Sequence, residues 1–505
     1  MSQKWEELNK QAIDALMAGS LDKADELSEE AVNAARKEAD ENQLLTCLAN
    51  RSEIQQSMGD FDNAEVTAKE AIDLSRKISG DSEETADLTG SLAVMYAYMG
   101  SYSEAENGYR EELRIREGLS GDFQGMVQAL QGLAESVMEQ GRSQEAVTYL
   151  KRAEDLIKAH EGEDSPSLGP VLVNEAVVYS GMNDPDKAGG ILREALKIYE
   201  KDPGPEHPIF ADTLSRLAET YAQRGAASPA QTLYSQARDI LKATLNKNDP
   251  EIAKVSEKMA ELYLRSGDVD NAVKAFSEVI DIYRLAYGED SIKTAQAEND
   301  LGETYLSVEK FKEADPLLKH ALQIREEKLG ESHPAVAQSL NNVAVLLENQ
   351  GKFSQAMPMH ERALKIRRET FGDRHPAVTQ SLENLAAVYQ SVGKYQEAED
   401  ALRESVSIWE EYAGKDHPMS AQASMNLGTV LFMRAKYREA LRVITEAKDI
   451  MESHYGQGSP NMAVPYKALA TISKKLGKRA DEEKYAALFE QANKSAGFTQ
   501  QTGDK

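Results

Sequence analysis

A period of 42 residues constrains this chain more than any other feature of it. His333-Pro334, His375-Pro376 and His417-Pro418 stand 42 apart, and Ser165-Pro166, His207-Pro208, Asp249-Pro250 and Ser459-Pro460 fall on the same lattice. Gly19, Gly59, Gly100, Gly141, Gly225, Gly267, Gly351, Gly393 and Gly477 mark a second lattice position. Asn183, Glu309 and Ala435 fill its gaps, which gives twelve copies spaced 40 to 42 apart. Self-similarity of this length means units that each bury a face on their neighbours, so the chain grows as a stack rather than around one core. Such a stack presents an extended surface instead of a single catalytic pocket.

Two columns of small residues run through the copies. Five residues after each mark stands Ala, from Ala24 to Ala440, with Glu482 breaking the rule in the last copy. Seven before the mark stand Ala12, Ser52, Ala93, Ala134, Ala176, Ala218, Ala260, Gly302, Ala344, Ala386, Gly428 and Ala470. Each copy reads as two helices and a turn. In the copy that opens at His333, Pro334 suits the first helical position, where its missing N–H has no partner to lose. Leu340, Val343, Ala344 and Leu347 then recur at three and four, the period of one apolar helical face. Gly351 supplies the left-handed turn. Ala356, Ala363, Leu364 and Ile366 line a second amphipathic run that closes at Gly372. Pro316 and Pro358 lie near the start of such second runs, where a lost N–H costs less. No strand pattern competes, so the expected fold is all-α.

The stretches His333 to Ala344, Gly351 to Ala356 and Arg362 to Arg367 resemble tetratricopeptide repeats of the long, 42-residue kind found in kinesin light chain and nephrocystin-3-like proteins. The resemblance is close over residues 207 to 460 and weaker, but in register, over most of the rest. It implies a right-handed superhelical solenoid of about twelve helix-turn-helix repeats over 1-496: acidic repeats over 1-164, kinesin light chain-like repeats over 165-458, and a capping repeat over 459-496. A polar tail of 497-505 follows. Kinesin light chain joins its motor through an N-terminal heptad segment, whereas Met1 to Gly19 already reads as the first helix of a repeat.

The rest of the composition narrows the function classes. Net charge is −27, and residues 1 to 150 carry 13 Lys and Arg against 30 Asp and Glu. Phosphate binding needs a basic footprint, so nucleic acid is not an expected partner. The acidic third reads as a solubilising surface, or as a face for a basic partner. No apolar run is long enough for membrane insertion, and the single cysteine, Cys47, with no export leader, suits a cytoplasmic protein. No phosphate loop, nucleophile elbow, paired-His zinc motif or cysteine cluster appears, so no enzyme activity and no cofactor are expected. Asp60 and Asp268 open segments that faintly resemble a calcium loop, but they lack its glycine and closing Glu and read as helix caps. His207, His333, His375 and His417 likewise read as caps rather than metal ligands. Trp5 and Trp409 read as core or groove aromatics.

What remains is the polar face of the first helices. Nine residues before the mark the column reads Asn174, Arg216, Lys258, Asp300, Asn342, Asn384 and Asn426. One turn earlier on the same face it reads Gln128, Lys254, Gln296, Gln338, Gln380 and Gln422. Asn and Gln both donate and accept, so a ladder of them can pair with the backbone of an extended peptide whatever its sequence. In tetratricopeptide proteins the first-helix Asn column faces the groove and binds ligand backbone. The resemblance therefore implies a peptide site over residues 296 to 426, with Arg216, Lys254 and Lys258 as a basic stretch for an acidic part of the ligand. The expected role is a scaffold or adaptor that captures a segment of another protein; a ligand-driven regulatory sensor is the alternative.

Overall fold

The computed structural model describes residues 4–38, 40–119 and 121–495. The 497–505 tail lies outside them. Among the described residues there is no strand, and the chain divides into two compact units, up to Asn246 and from Lys247. The first unit holds α1 (Lys4–Met17), α2 (Leu21–Glu38), α3 (Glu41–Met58), α4 (Phe61–Ser79), α5 (Glu83–Tyr98) and α6 (Tyr102–Gly118). It continues with α7 (Phe123–Glu139), α8 (Ser143–Glu161), α9 (Leu168–Gly181), α10 (Pro185–Lys201), α11 (Pro208–Gln223) and α12 (Ala227–Thr244). The second unit begins with α13 (Pro250–Arg265), α14 (Val269–Tyr287), α15 (Ile292–Ser307), α16 (Phe311–Leu329), α17 (Pro334–Asn349) and α18 (Phe353–Phe371). It ends with α19 (Pro376–Ser391), α20 (Tyr395–Ala413), α21 (Pro418–Met433), α22 (Tyr437–Tyr455), α23 (Ala463–Lys475) and α24 (Arg479–Ser495). Each odd-numbered helix packs on the even one after it as a hairpin.

The lattice residues explain the hairpins. At every mark the backbone is left-handed, and Asn183, Glu309 and Ala435, with φ of 58°, 59° and 59°, are the non-glycine residues of positive φ among those described. The turn after α21 shows why: Ala435 N–H donates to Phe432 O at 3.0 Å and Lys436 N–H to Leu431 O at 2.9 Å, which satisfies two carbonyls that the helix end would leave bare. His207, His333, His375 and His417 cap their helices, each Nδ1 accepting from the N–H two residues on at 3.1–3.2 Å. Asp60 and Asp268 cap α4 and α14 in the same sense.

Both small-residue columns lie where hairpin helices touch. The eleven alanines from Ala24 to Ala440 are wholly buried. At Gly302 and Gly428 even a methyl is excluded, since a Cβ would fall 2.6 Å from Leu318 Cδ2 and 2.2 Å from Ile444 Cγ1. Glu482 is half-buried beside Lys474 in the last hairpin. Pro316 and Pro358 stand at the sixth residue of α16 and α18, a turn deeper than a cost-free position, on the exposed side of each helix. Trp5 packs against the α2–α3 core, and Trp409 meets Tyr412 edge-on at 6.3 Å.

First helices of successive hairpins approach one another directly, α5 to α7 to α9 in the first unit and α15 through α17, α19 and α21 to α23 in the second. Second helices are bridged instead by long side chains, as in Arg36–Glu70 at 2.7 Å, Arg76–Glu111 at 2.8 Å, Arg368–Glu404 at 2.6 Å and Arg403–Glu439 at 2.6 Å. The first helices are therefore the inner row of each unit.

Candidate functional site

The polar columns fall on that inner row. In the second unit Gln338 of α17, Gln380 of α19 and Gln422 of α21 are exposed, and Asn342, Asn384 and Asn426 follow one turn later, half-buried. Asn384 and Asn426 make no side-chain hydrogen bond among the described residues, so their amides are open to a ligand.

The other end of the ladder is already engaged. Gln296 donates to both oxygens of Asp300 at 2.8 and 3.0 Å, and its Oε1 accepts from Arg325 at 2.6 Å. Asn342 donates to Asn299 Oδ1 at 3.1 Å. Burial pushes the Asp300 carboxyl above the ordinary aspartate range. The structure thus gathers Gln296, Asp300 and Asn342 into an internal network and leaves Gln338 of α17 and the amides of α19 and α21 outside it.

Behind the ladder lies a second polar layer that the column reading did not find. Arg325, 1% exposed, reaches from α16 to Ser339 Oγ at 2.7 Å and Ala335 O at 3.1 Å. Arg367 of α18 repeats the geometry one copy on, donating to Ser381 Oγ at 2.7 Å and to the Asn341 oxygen at 3.0 Å, while the Asn341 nitrogen donates to His360 Nδ1 at 2.9 Å. In the third copy Ser405 donates to Glu383 at 2.8 Å, and burial pushes the Glu383 carboxyl up. A sequence signal existed: Ile157, Tyr199, Leu241, Tyr283, Trp409 and Met451 share the 42-residue column that Arg325 and Arg367 interrupt. A guanidinium buried in an apolar column must be held by acceptors, and here they are the residues that fix the inner helices.

The basic stretch is compensated locally. Arg216, in the first unit, pairs with Asp212 at 2.8 Å; in the second, Lys254 pairs with Glu251 at 2.6 Å and Lys258 lies 3.7 Å from Glu261. Three neighbouring carboxylates mute its attraction for an acidic ligand. Among the described residues no three His, Cys, Asp or Glu side chains converge on a point that could hold a metal ion, and no helix is long and apolar enough to cross a membrane. The Cys47 thiol is buried, and desolvation pushes it up to about 11, away from the thiolate that redox or nucleophilic chemistry needs.

Seven stretches, some of them overlapping, match the tetratricopeptide repeat family model: 50–118, 125–201, 171–243, 251–327, 308–369, 336–408 and 377–453. Residues 6–54 match the model for anaphase-promoting complex subunit 5. The Arabidopsis thaliana protein KINESIN LIGHT CHAIN-RELATED 3 is 26% identical over 151 residues, 30% of this chain, and the match spans only 23% of that protein's length. The crystal structure of BtubC (BKLC) from P. vanneervenii is 28% identical, covering 46% of this chain and 91% of its own with a TM-score of 0.40. Apo RapI, 15% identical, shares the fold over 74% of this chain and 99% of its own with a TM-score of 0.54.

Proposed function

Because this chain belongs to the tetratricopeptide-repeat family, we propose that it is a protein-interaction scaffold that holds an extended peptide segment of a partner along the inner face of its second unit. The observation that carries this reading is the set of uncommitted amides on α17, α19 and α21. Gln338, Gln380, Gln422, Asn384 and Asn426 recur on three consecutive inner helices with no side-chain hydrogen-bond partner among the described residues. Amides so spaced can accept from and donate to peptide backbone while adjacent pockets read side chains. The layer of Arg325, Arg367 and Glu383 behind them supports the same reading, since hydrogen bonds fixing the inner helices lower the ordering cost of binding. Gln296, Asp300 and Asn342, engaged with Arg325 and Asn299, belong in this proposal to the supporting layer rather than to the contact surface.

The test is peptide selection on the full chain. A random dodecapeptide library is panned against the wild type, and the enriched peptides are then titrated against Asn384→Ala and Asn426→Ala. Each substitution is expected to weaken binding by about 0.5–1.5 kcal/mol, the net worth of a hydrogen bond, and to leave melting unchanged because amides that make no hydrogen bond within the fold contribute little to it. Enriched peptides that bind both variants as tightly as the wild type overturn the assignment.

A further inference from the structure

The inner face of the first unit carries a polar cavity of about 570 Å3 between α5, α7 and α9, backed by α6. Glycine makes it. A Cβ on Gly90 of α5 would fall 2.5 Å from Glu112 Oε2, and one on Gly132 of α7 would fall 2.4 Å from the Tyr109 ring. Glu112 and Tyr109 belong to α6, and the two missing methyls let them reach between α5 and α7 into the cavity wall. Both are more than nine-tenths buried. Arg116, also of α6, holds Glu112 at 2.8 Å, Asp87 at 2.7 Å and Asp122 at 2.6 Å. Its one positive charge is shared among three carboxylates, and Glu135 stands on the rim with no counter-ion among the described residues. Burial pushes the Glu112 carboxyl up, as expected of an acid short of compensation. The Tyr109 hydroxyl faces the cavity and has no hydrogen-bond partner among the described residues. Gln128, Gln131 and Asn174 ring the mouth with amides.

We propose that this cavity receives a basic side chain, arginine or lysine, from a peptide segment of a partner protein. Glu112, Glu135 and Asp87 take its charge, the Tyr109 oxygen accepts one of its N–H groups, and the rim amides hold the flanking backbone. A hydroxyl with no protein partner, on a ring otherwise buried, and a surplus of carboxylates in one concavity are what a cation with several N–H donors satisfies, and an anion or an apolar group does not. The site is separate from the amide ladder of the second unit and does not depend on it.

The probe is a fluorescein-labelled acetyl-Gly-Arg-Gly-Arg-Gly-amide peptide, compared with the same peptide carrying citrulline, which keeps the shape and removes the charge. Fluorescence anisotropy with the full chain is expected to show the arginine peptide binding at least tenfold more tightly. Tyr109→Phe, which keeps the buried ring, weakens it by about three- to tenfold, in line with one lost hydrogen bond. Glu135→Gln, on an exposed rim residue whose loss cannot harm the fold, weakens it comparably, whereas Glu139→Gln, the same charge change on the same helix outside the cavity, leaves binding within twofold. Asn384→Ala leaves it unchanged. Equal affinity for the citrulline peptide, or equal loss from Glu139→Gln and Glu135→Gln, overturns the proposal and reduces the effect to diffuse acidity.

Discussion

Ala435→Gly is expected to stabilise the second unit although it removes an atom and adds no contact. Ala435 joins α21 to α22 with φ of 59°, a conformation in which an L-residue's Cβ crowds the neighbouring carbonyl at a cost of about 1–2 kcal/mol. Glycine removes that cost but brings a more disordered unfolded chain, which returns about 0.4–1 kcal/mol. The difference leaves a gain of about 0.5–1 kcal/mol by these magnitudes. Nine of the twelve equivalent positions carry glycine, and at Gly351 a Cβ would meet nothing within 4 Å. Gly351→Ala therefore tests the backbone alone and should cost a similar amount. Glu309→Gly should gain about as much as Ala435→Gly, and Asn183→Gly nearly nothing, because Asn tolerates the left-handed region. Coupling in a repeat array is mainly between neighbours, so the assay is amide hydrogen exchange: in α21 and α22 it should slow by about two- to fivefold and stay unchanged in α1 to α4. Faster exchange in Ala435→Gly, or no effect from Gly351→Ala, would refute the claim that these marks are selected by backbone conformation.

Gly428→Ala should destabilise the second unit by about 1–3 kcal/mol in urea unfolding, because its methyl would land 2.2 Å from Ile444, and Ile444→Val in the same chain should recover part of the loss. Arg325→Met should cost about 1–3 kcal/mol by leaving unpaired the acceptors on half-buried Gln296 and buried Ser339, again read by urea unfolding. At Glu399, burial opposes ionisation, but hydrogen bonds from Lys436, Arg403 and Arg434 outweigh it and hold the carboxyl down to about 2. A depressed carboxylate adds stability that is complete above its unfolded value near 4.5 and is lost as pH falls toward 2. Glu399→Gln should therefore lower stability at neutral pH by about 1.5–3 kcal/mol, the worth of hydrogen bonds to charge, and flatten the acid unfolding profile between pH 4.5 and 2.

The hairpins were legible because each rests on a requirement repeated twelve times. A left-handed turn admits few residues, a helix–helix contact at Ala356 or Gly428 admits only small ones, and a cap such as His333 needs an acceptor two residues from an N–H. These are local or steric conditions, so they leave their mark on the column itself. The amide ladder was only half legible for the opposite reason. The column places Gln296, Asp300 and Asn342 on the same face as Asn384 and Asn426, but whether an amide is free depends on what stands across from it, and Arg325, Asn299 and Glu303 lie on other helices or other columns. Nor does the period announce the division after Asn246, since the marks at Gly225 and Gly267 keep their 42-residue spacing through it.

The features that distinguish this chain from a generic array stand where the period fails. Arg325 and Arg367 break an apolar column and tie down the inner helices that carry the free amides. Gly90 and Gly132 recur in no other copy, and they alone let Glu112 and Tyr109 reach the inner face. A column of like residues reports a condition that every unit must meet in order to stack, and selection for stacking is indifferent to partners. A residue that departs from its column only to vacate space for a neighbour, such as Gly132, does not serve the stack. Such a departure needs a cause particular to one unit, and the basic side chain proposed for the cavity supplies one.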